Sequence, residues 1–223
     1  MVGRFCKFAY FLNNNFVSTS CRGMGSAKFY VLPRECRPFG ITYEEWTSRW
    51  WRWILSIPRQ ENPLLDQNGR NAHTNQDYSE VFFLCQTYEQ TSSIPNRSIR
   101  IRSGKLIFTP VINWISIMGC DGANDEELLS TAVKRMDIIA NLEAVIDGQK
   151  IKGLQGFRVL SPFFEFDLPE DNILGLPPGR RRGISDGYWI FVAIQGNEAR
   201  LTSSGSCSSG ATKIGVNYEI AFM

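Results

Sequence analysis

The spacing of apolar positions changes twice along the chain, and the expected elements follow from those changes. Between Thr42 and Ser56 the apolar residues recur with helical period. Trp46, Trp50 and Trp53 fall at i, i+4 and i+7 and share one face, while Trp51 points about 100° away. Thr42 stands where an N-cap would, Glu45 where its capping-box partner would, and Ile41 with Trp46 where a hydrophobic staple would. Pro58 stops the helix near Ser56, because its ring disfavours helical geometry at the residue before it. The pattern predicts a helix over 42–56, followed by an irregular polar loop over 62–77.

Alternation then takes over. Val81 to Cys85 is apolar on both faces, as a central strand would be. Residues 98–102 alternate as a half-exposed strand does, and 105–112 is a further strand that Pro110 assigns to an edge or a bulge. Helical spacing returns over 124–140. Asp125, Glu126 and Glu127 open that helix, where its dipole favours negative charge, and Leu128, Leu129, Ala132, Val133, Met136 and Ile139 form its apolar stripe. Asp147-Gly148 predicts a two-residue hairpin turn. Strands are expected at 157–160, 163–168, 187–194, 199–203 and 214–222. Strands in this number, two helices and no βαβ rhythm predict a mainly β fold: an antiparallel β-sandwich, jelly-roll-like, with two packed α-helices. Residues 35–223 are expected to form a single β-sandwich domain behind a basic N-terminal extension over 1–34.

Charge narrows the partners. Twenty-four Lys and Arg against 22 Asp and Glu leave +2, which argues for neither nucleic acid nor an anionic membrane surface. No apolar run approaches the ~18 residues of a membrane span. Cys6, Cys21, Cys36, Cys85, Cys120 and Cys207 are scattered, without a C-x-x-C pair and with one histidine to join them. A zinc site is therefore not expected, and the cysteines read as reduced thiols of a cytoplasmic protein. Up to Arg34 the chain carries Arg4, Lys7, Arg22 and Lys28 but no acid. Its apolar patch at 8–12 is too short for a secretory h-region of ~7–15 residues. An organelle transit peptide and a true start at Met24 remain alternatives.

Several segments, taken in order, resemble a widespread family of uncharacterised bacterial and archaeal proteins. They are Tyr43-x-x-Trp46-x-x-x-Trp50-Trp51-x-Trp53 with Ser56-Ile57-Pro58, then Asn62-Pro63-x-x-Asp66-x-x-Gly69 and Gln76 ahead of Val81-Phe82-Phe83-Leu84. Gly104-Lys105, Pro110-Val111-Ile112-Asn113 and Ile146-Asp147-Gly148 follow, with Ser161-Pro162-x-Phe164, Leu168-Pro169-Glu170-Asp171-Asn172 and Ser185-Asp186-Gly187-Tyr188-Trp189. The resemblance implies a fold and no established activity. Many relatives look secreted, which keeps secretion as an alternative, and carry a cysteine pair where this chain has Ala72, His73, Ile99 and Ile101, a departure that agrees with a reducing compartment. Many also carry a Gly-x-His segment where this chain has Gly196-Asn197-Glu198, so no catalytic histidine transfers there.

The chemistry of the residues is sparse. His73 lies in the polar loop beside Asp66, Asn71, Asn75, Gln76 and Asp77, where a solvated or structural role competes with an acid–base one. Glu165 and Asp167 share one strand face about 6.6 Å apart by strand rise, either as a solvated pair or as a catalytic or calcium-binding one. The loop Pro177 to Gly183 presents Arg180, Arg181 and Arg182, whose guanidinium groups suit a phosphate or carboxylate as well as plain solvation. No Gly-x-Ser-x-Gly elbow exists. Trp46, Trp50 and Trp53 are expected in the core. Trp51, beside Arg49 and Arg52, is expected at the surface as an aromatic and cationic contact. Trp51, Asp66, Gln76, Asn113, Asp186 and Tyr188 are the candidate ligand-binding residues. The expected function is a non-enzymatic ligand-binding or structural module for a small ligand or a protein partner, without cofactor or metal. The alternative is a carboxylate- or metal-assisted hydrolase or isomerase, with a pocket built from Asp66, Gln76, Asn113 and Asp186.

Overall fold

The computed structural model describes residues 28–76, 80–88, 94–207 and 213–223. In chain order the elements begin with β1 (Phe29–Val31), α1 (Tyr43–Leu55), β2 (Val81–Phe83), β3 (Asn96–Ile101), β4 (Leu106–Ile117) and α2 (Asp125–Asp137). They continue with β5 (Ile139–Ile146), β6 (Gln149–Lys150), β7 (Arg158–Leu160), β8 (Phe164–Leu168), β9 (Gly179–Ile194), β10 (Glu198–Cys207) and β11 (Lys213–Phe222). The fold is mainly β, with two helices packed on two sheets, as the alternation predicts. Most of the expected extension, with Cys6, Cys21 and Met24, lies outside the described residues. Its end does not, because Phe29 and Val31 alternate into the sheet and pack against the core, so the folded region starts before position 35.

β9 organises the molecule. Along one edge it pairs with β4, and along the other with β8, β7 and β1 in turn. β2 lies outside β4 and completes the first sheet. The second sheet runs β3-β11-β10-β5-β6. Pairing is antiparallel except for one parallel edge pair in each sheet, β2 with β4 and β3 with β11. Since the side-chain period of a strand is two, β9 serves two cores. Trp189 and Phe191 join the tryptophans of α1 on one side. Tyr188, Ile190 and Val192 meet the second sheet on the other. Further along that second side, Ile184 packs against Leu128 and Ala132 of α2.

Both helices start where their capping residues place them. Thr42 accepts from the Glu45 amide at 3.2 Å, and Asn124 accepts from the Glu127 amide at 3.0 Å. The second helix ends earlier than expected, because Ile139 opens β5 instead of extending the apolar stripe. Three further expectations change. Val81–Phe83 lies at a sheet edge, and its residues are apolar on both faces because a core covers each of them. Residues 179–183, read as a basic loop, extend β9 as the pairing partner of β8. Pro110 sits in the interior strand β4, where a bulge inserts Val111, and the Gln86 amide donates to the Val111 carbonyl. At the Asp147-Gly148 turn both residues have positive φ, 48° and 78°, as a type I′ hairpin requires.

Candidate functional site

The tryptophan helix is buried on more sides than its periodicity implies. Trp46, Trp50 and Trp53 belong to the core, and each indole N–H finds a carbonyl: Pro38 at 3.2 Å, Leu84 at 2.8 Å and Thr74 at 2.9 Å. Trp51 is also buried, 7 % exposed, which corrects its expected place at the surface. The reason is β8, which runs along the flank that would otherwise meet water. Arg52 Nε donates to the Glu165 carbonyl at 2.9 Å there, and its guanidinium lies 5.5 Å from the Phe164 ring centre. Arg49 stacks over Trp46, so neither arginine forms a free contact surface with Trp51.

The remaining candidates do not gather. Asp66 accepts from the backbone amides of Asn68 at 3.0 Å and Asn71 at 2.8 Å and so shapes the polar loop. Gln76 closes the edge of β2: its amide accepts from Phe83 N–H at 3.1 Å and donates to the Phe83 carbonyl at 2.9 Å. Asp186 takes two bonds from Arg158, at 3.0 and 2.7 Å, and one from the Gly187 amide. Arg158 also reaches Asp137 and the Val133 carbonyl, so this network ties α2 to the sheet. Burial raises the Asp186 carboxyl above its ordinary range, and the Arg158 bonds pull against that rise. Tyr188 faces the second sheet. Asn113 pairs with Gly187 and faces α1, on the opposite side of the sheet from Asp186. The bulge decides this. With unbroken register Asn113 would stand opposite Asp186, and the inserted Val111 moves it one place to Gly187. The pocket expected from Asp66, Gln76, Asn113 and Asp186 is therefore not formed.

The other chemistry-bearing groups resolve into surface pairings. His73 is exposed, with its ring 5.2 Å from that of Phe82. Arg180 binds Glu165, Arg182 binds Asp125, and Arg181 donates to the Pro177 carbonyl. Among the described residues no three His, Cys, Asp or Glu side chains come together as a metal would need. A shallow groove of about 930 Å³ crosses the outer face of the second sheet, and its Arg200 and Glu219 lie 3.6 Å apart.

What the fold does place under α1 is a set of buried polar groups. On the helix-facing side of the first sheet, Ser185, Gly187 and Trp189 follow one another along β9, and Asn113 and Ile115 stand opposite Gly187 and Ser185 on β4. The Trp189 indole lies 5.2 Å from Trp50, whose ring is in turn 5.0 Å from Trp51. Trp51 Nε1, Asn113 Nδ2, Ser185 Oγ and Trp189 Nε1 are all buried and have no hydrogen-bond partner. Asn113 is half-buried as a residue, so solvent is nearest at that end. Gly187 is required beneath it, since a Cβ there would meet the Asn113 Cβ at 2.7 Å and its Cα at 2.8 Å. Two of these four, Ser185 and Trp189, are missing from the sequence-derived candidates, although their alternation with Gly187 places all three on one strand face. No family model, curated protein or solved structure matches the chain.

Proposed function

We propose that this protein is a non-catalytic binding module that holds a small acceptor-rich molecule, a carboxylate or an amide, between α1 and the first sheet. The observation that carries this reading is the unpartnered set Trp51, Asn113, Ser185 and Trp189. A buried polar group without a partner costs about 1–3 kcal/mol, so three on one sheet face and one on the helix above it gain much from an acceptor. Indole N–H groups only donate, and the amide nitrogen of Asn113 does the same, so the matching ligand presents oxygen. Aromatic walls from Trp50, Trp51 and Trp189 suit a flat or apolar body behind that oxygen. Ordered water is the competing occupant.

The test combines thermal melting with a high-resolution crystal structure. Acetate, succinate and acetamide serve as probes, on the wild type and on Asn113→Leu. At least one probe should raise the wild-type midpoint and leave Asn113→Leu unmoved. If none does, and water alone sits on all four groups, they are a hydrated part of the core and the binding reading fails.

A further inference from the structure

The two helices have equal length and are held to the first sheet in different ways. Nine of the 13 residues of α1 are buried, whereas in α2 only Leu128, Ala132 and Met136 of 13 are. The sheet face on the α2 side carries Ile184 and Leu160, but also Ser116 and Asp186. The Ser116 hydroxyl is buried and unpartnered, so water reaching it would satisfy it. Undocking α2 therefore wets polar groups as well as apolar ones.

Charge supplies what the apolar contact lacks. In the first turn of α2, Arg182 of β9 donates to both Asp125 oxygens, from Nε at 3.0 Å and Nη2 at 2.7 Å. In the last turn, Arg158 of β7 donates to Asp137 at 2.7 Å and to the Val133 carbonyl at 3.0 Å. Along the flank, Arg135 reaches Asp121 at 3.1 Å and lies 3.9 Å from the Trp114 ring centre. The sheet thus grips both ends of the helix with arginine. The Asp125 and Asp137 side chains are 48 % and 55 % exposed, so dissolved salt screens both grips. Arg158 keeps its other carboxylate, Asp186, when α2 leaves, and no buried charge is stranded.

We propose that α2 is a lid that opens as a unit while the sandwich beneath stays folded, with ionic strength setting how often it opens. A helix of 13 residues is marginal in water by itself, so the open lid is melted and its amides exchange with solvent.

The experiment is native-state hydrogen exchange of the full chain, read by NMR in about 0.02 M and about 0.5 M sodium chloride. The hydrogen-bonded amides of α2 should exchange faster than those of α1 and β9. An exposed ion pair is worth about 1.4- to 5-fold in an equilibrium, so the higher salt should speed α2 at least about threefold relative to the other two. Arg182→Gln, at an exposed side chain, should speed α2 alone by about 1.4- to 5-fold in low salt and weaken the salt response. One common rate for α1, α2 and β9 in both salts overturns the proposal. So does a fast α2 that responds neither to salt nor to Arg182→Gln.

Discussion

Replacing Trp50 and Trp51 by phenylalanine, one at a time, should have opposite consequences for hydrogen bonding at nearly equal loss of ring. Both side chains are buried, at 1 % and 7 % exposure, and their rings touch each other at 5.0 Å. Each substitution removes the same atoms, so the packing terms largely cancel when the two variants are compared. What remains is the indole N–H. Trp50 gives its proton to the Leu84 carbonyl at 2.8 Å, and Phe at this position leaves that carbonyl buried and unpaired, at about 1–3 kcal/mol. Trp51 has no acceptor, so Phe there deletes an unpaired donor and recovers a similar amount. Trp50→Phe should thus be less stable than Trp51→Phe by about 2–6 kcal/mol, a large part of a total of about 5–15 kcal/mol. Trp53→Phe, which loses a bond to the Thr74 carbonyl, should side with Trp50→Phe. The assay is urea unfolding of ligand-free protein, compared at equal slope. Equal losses at positions 50 and 51 would refute the reasoning, because the Trp51 N–H would then have an acceptor in solution.

Other outcomes follow from single contacts. Arg158→Met strands the buried Asp186 carboxylate and should cost about 3–5 kcal/mol near neutral pH, whereas Asp186→Asn, which removes the buried charge itself, should cost much less. Because the folded state holds the Asp186 proton more tightly than the unfolded chain, its contribution is full below the ordinary aspartate pKa and is lost as pH rises through the folded value. Denaturation of Arg158→Met followed from about pH 8 to about pH 5 should therefore show the deficit shrinking on acidification. Gly187→Ala forces a methyl into Asn113 and the Ile112 carbonyl and should cost about 1–3 kcal/mol or more, read from thermal midpoints. Among the described cysteines, exposed Cys120 should react with a thiol reagent in the native protein, and buried Cys36 and Cys85 only after unfolding.

The elements that were legible in the sequence are those specified by neighbours a few residues away. Thr42 and Glu45 announce the start of α1, Asp147-Gly148 announces its turn, and the alternation from Ile214 to Phe222 announces β11. Trp51 was misplaced because periodicity tells which face a side chain takes and not which element covers that face; here β8, more than a hundred residues on, covers it. Arg180 to Gly183 reads as a loop because its arginines stay at the surface, with Arg182 opposite Glu165 and Arg180 opposite Asp167 on β8. The parallel edge pairs had no local signal, since a strand reads alike beside a parallel or an antiparallel partner. The candidate site depended on one insertion. Pro110 hinted at a bulge, but the exact partner of Asn113 depends on how many residues the bulge contains, which shows only once β9 is laid beside β4.

The two-sided use of β9 bears on how this protein can fail. Phe191 and Trp189 serve the helix side while Tyr188, Ile190 and Val192 serve the sheet side, so a partly melted form that kept only one core would hold this strand straight with its other side chains wet. Three such side chains exposed at about 1.5–3 kcal/mol each amount to about 5–9 kcal/mol, comparable with the stability of a whole domain. Half-melted species should then be too scarce for proteases to exploit, and amides flanking β9 on both sides should exchange with solvent at one common, slow rate.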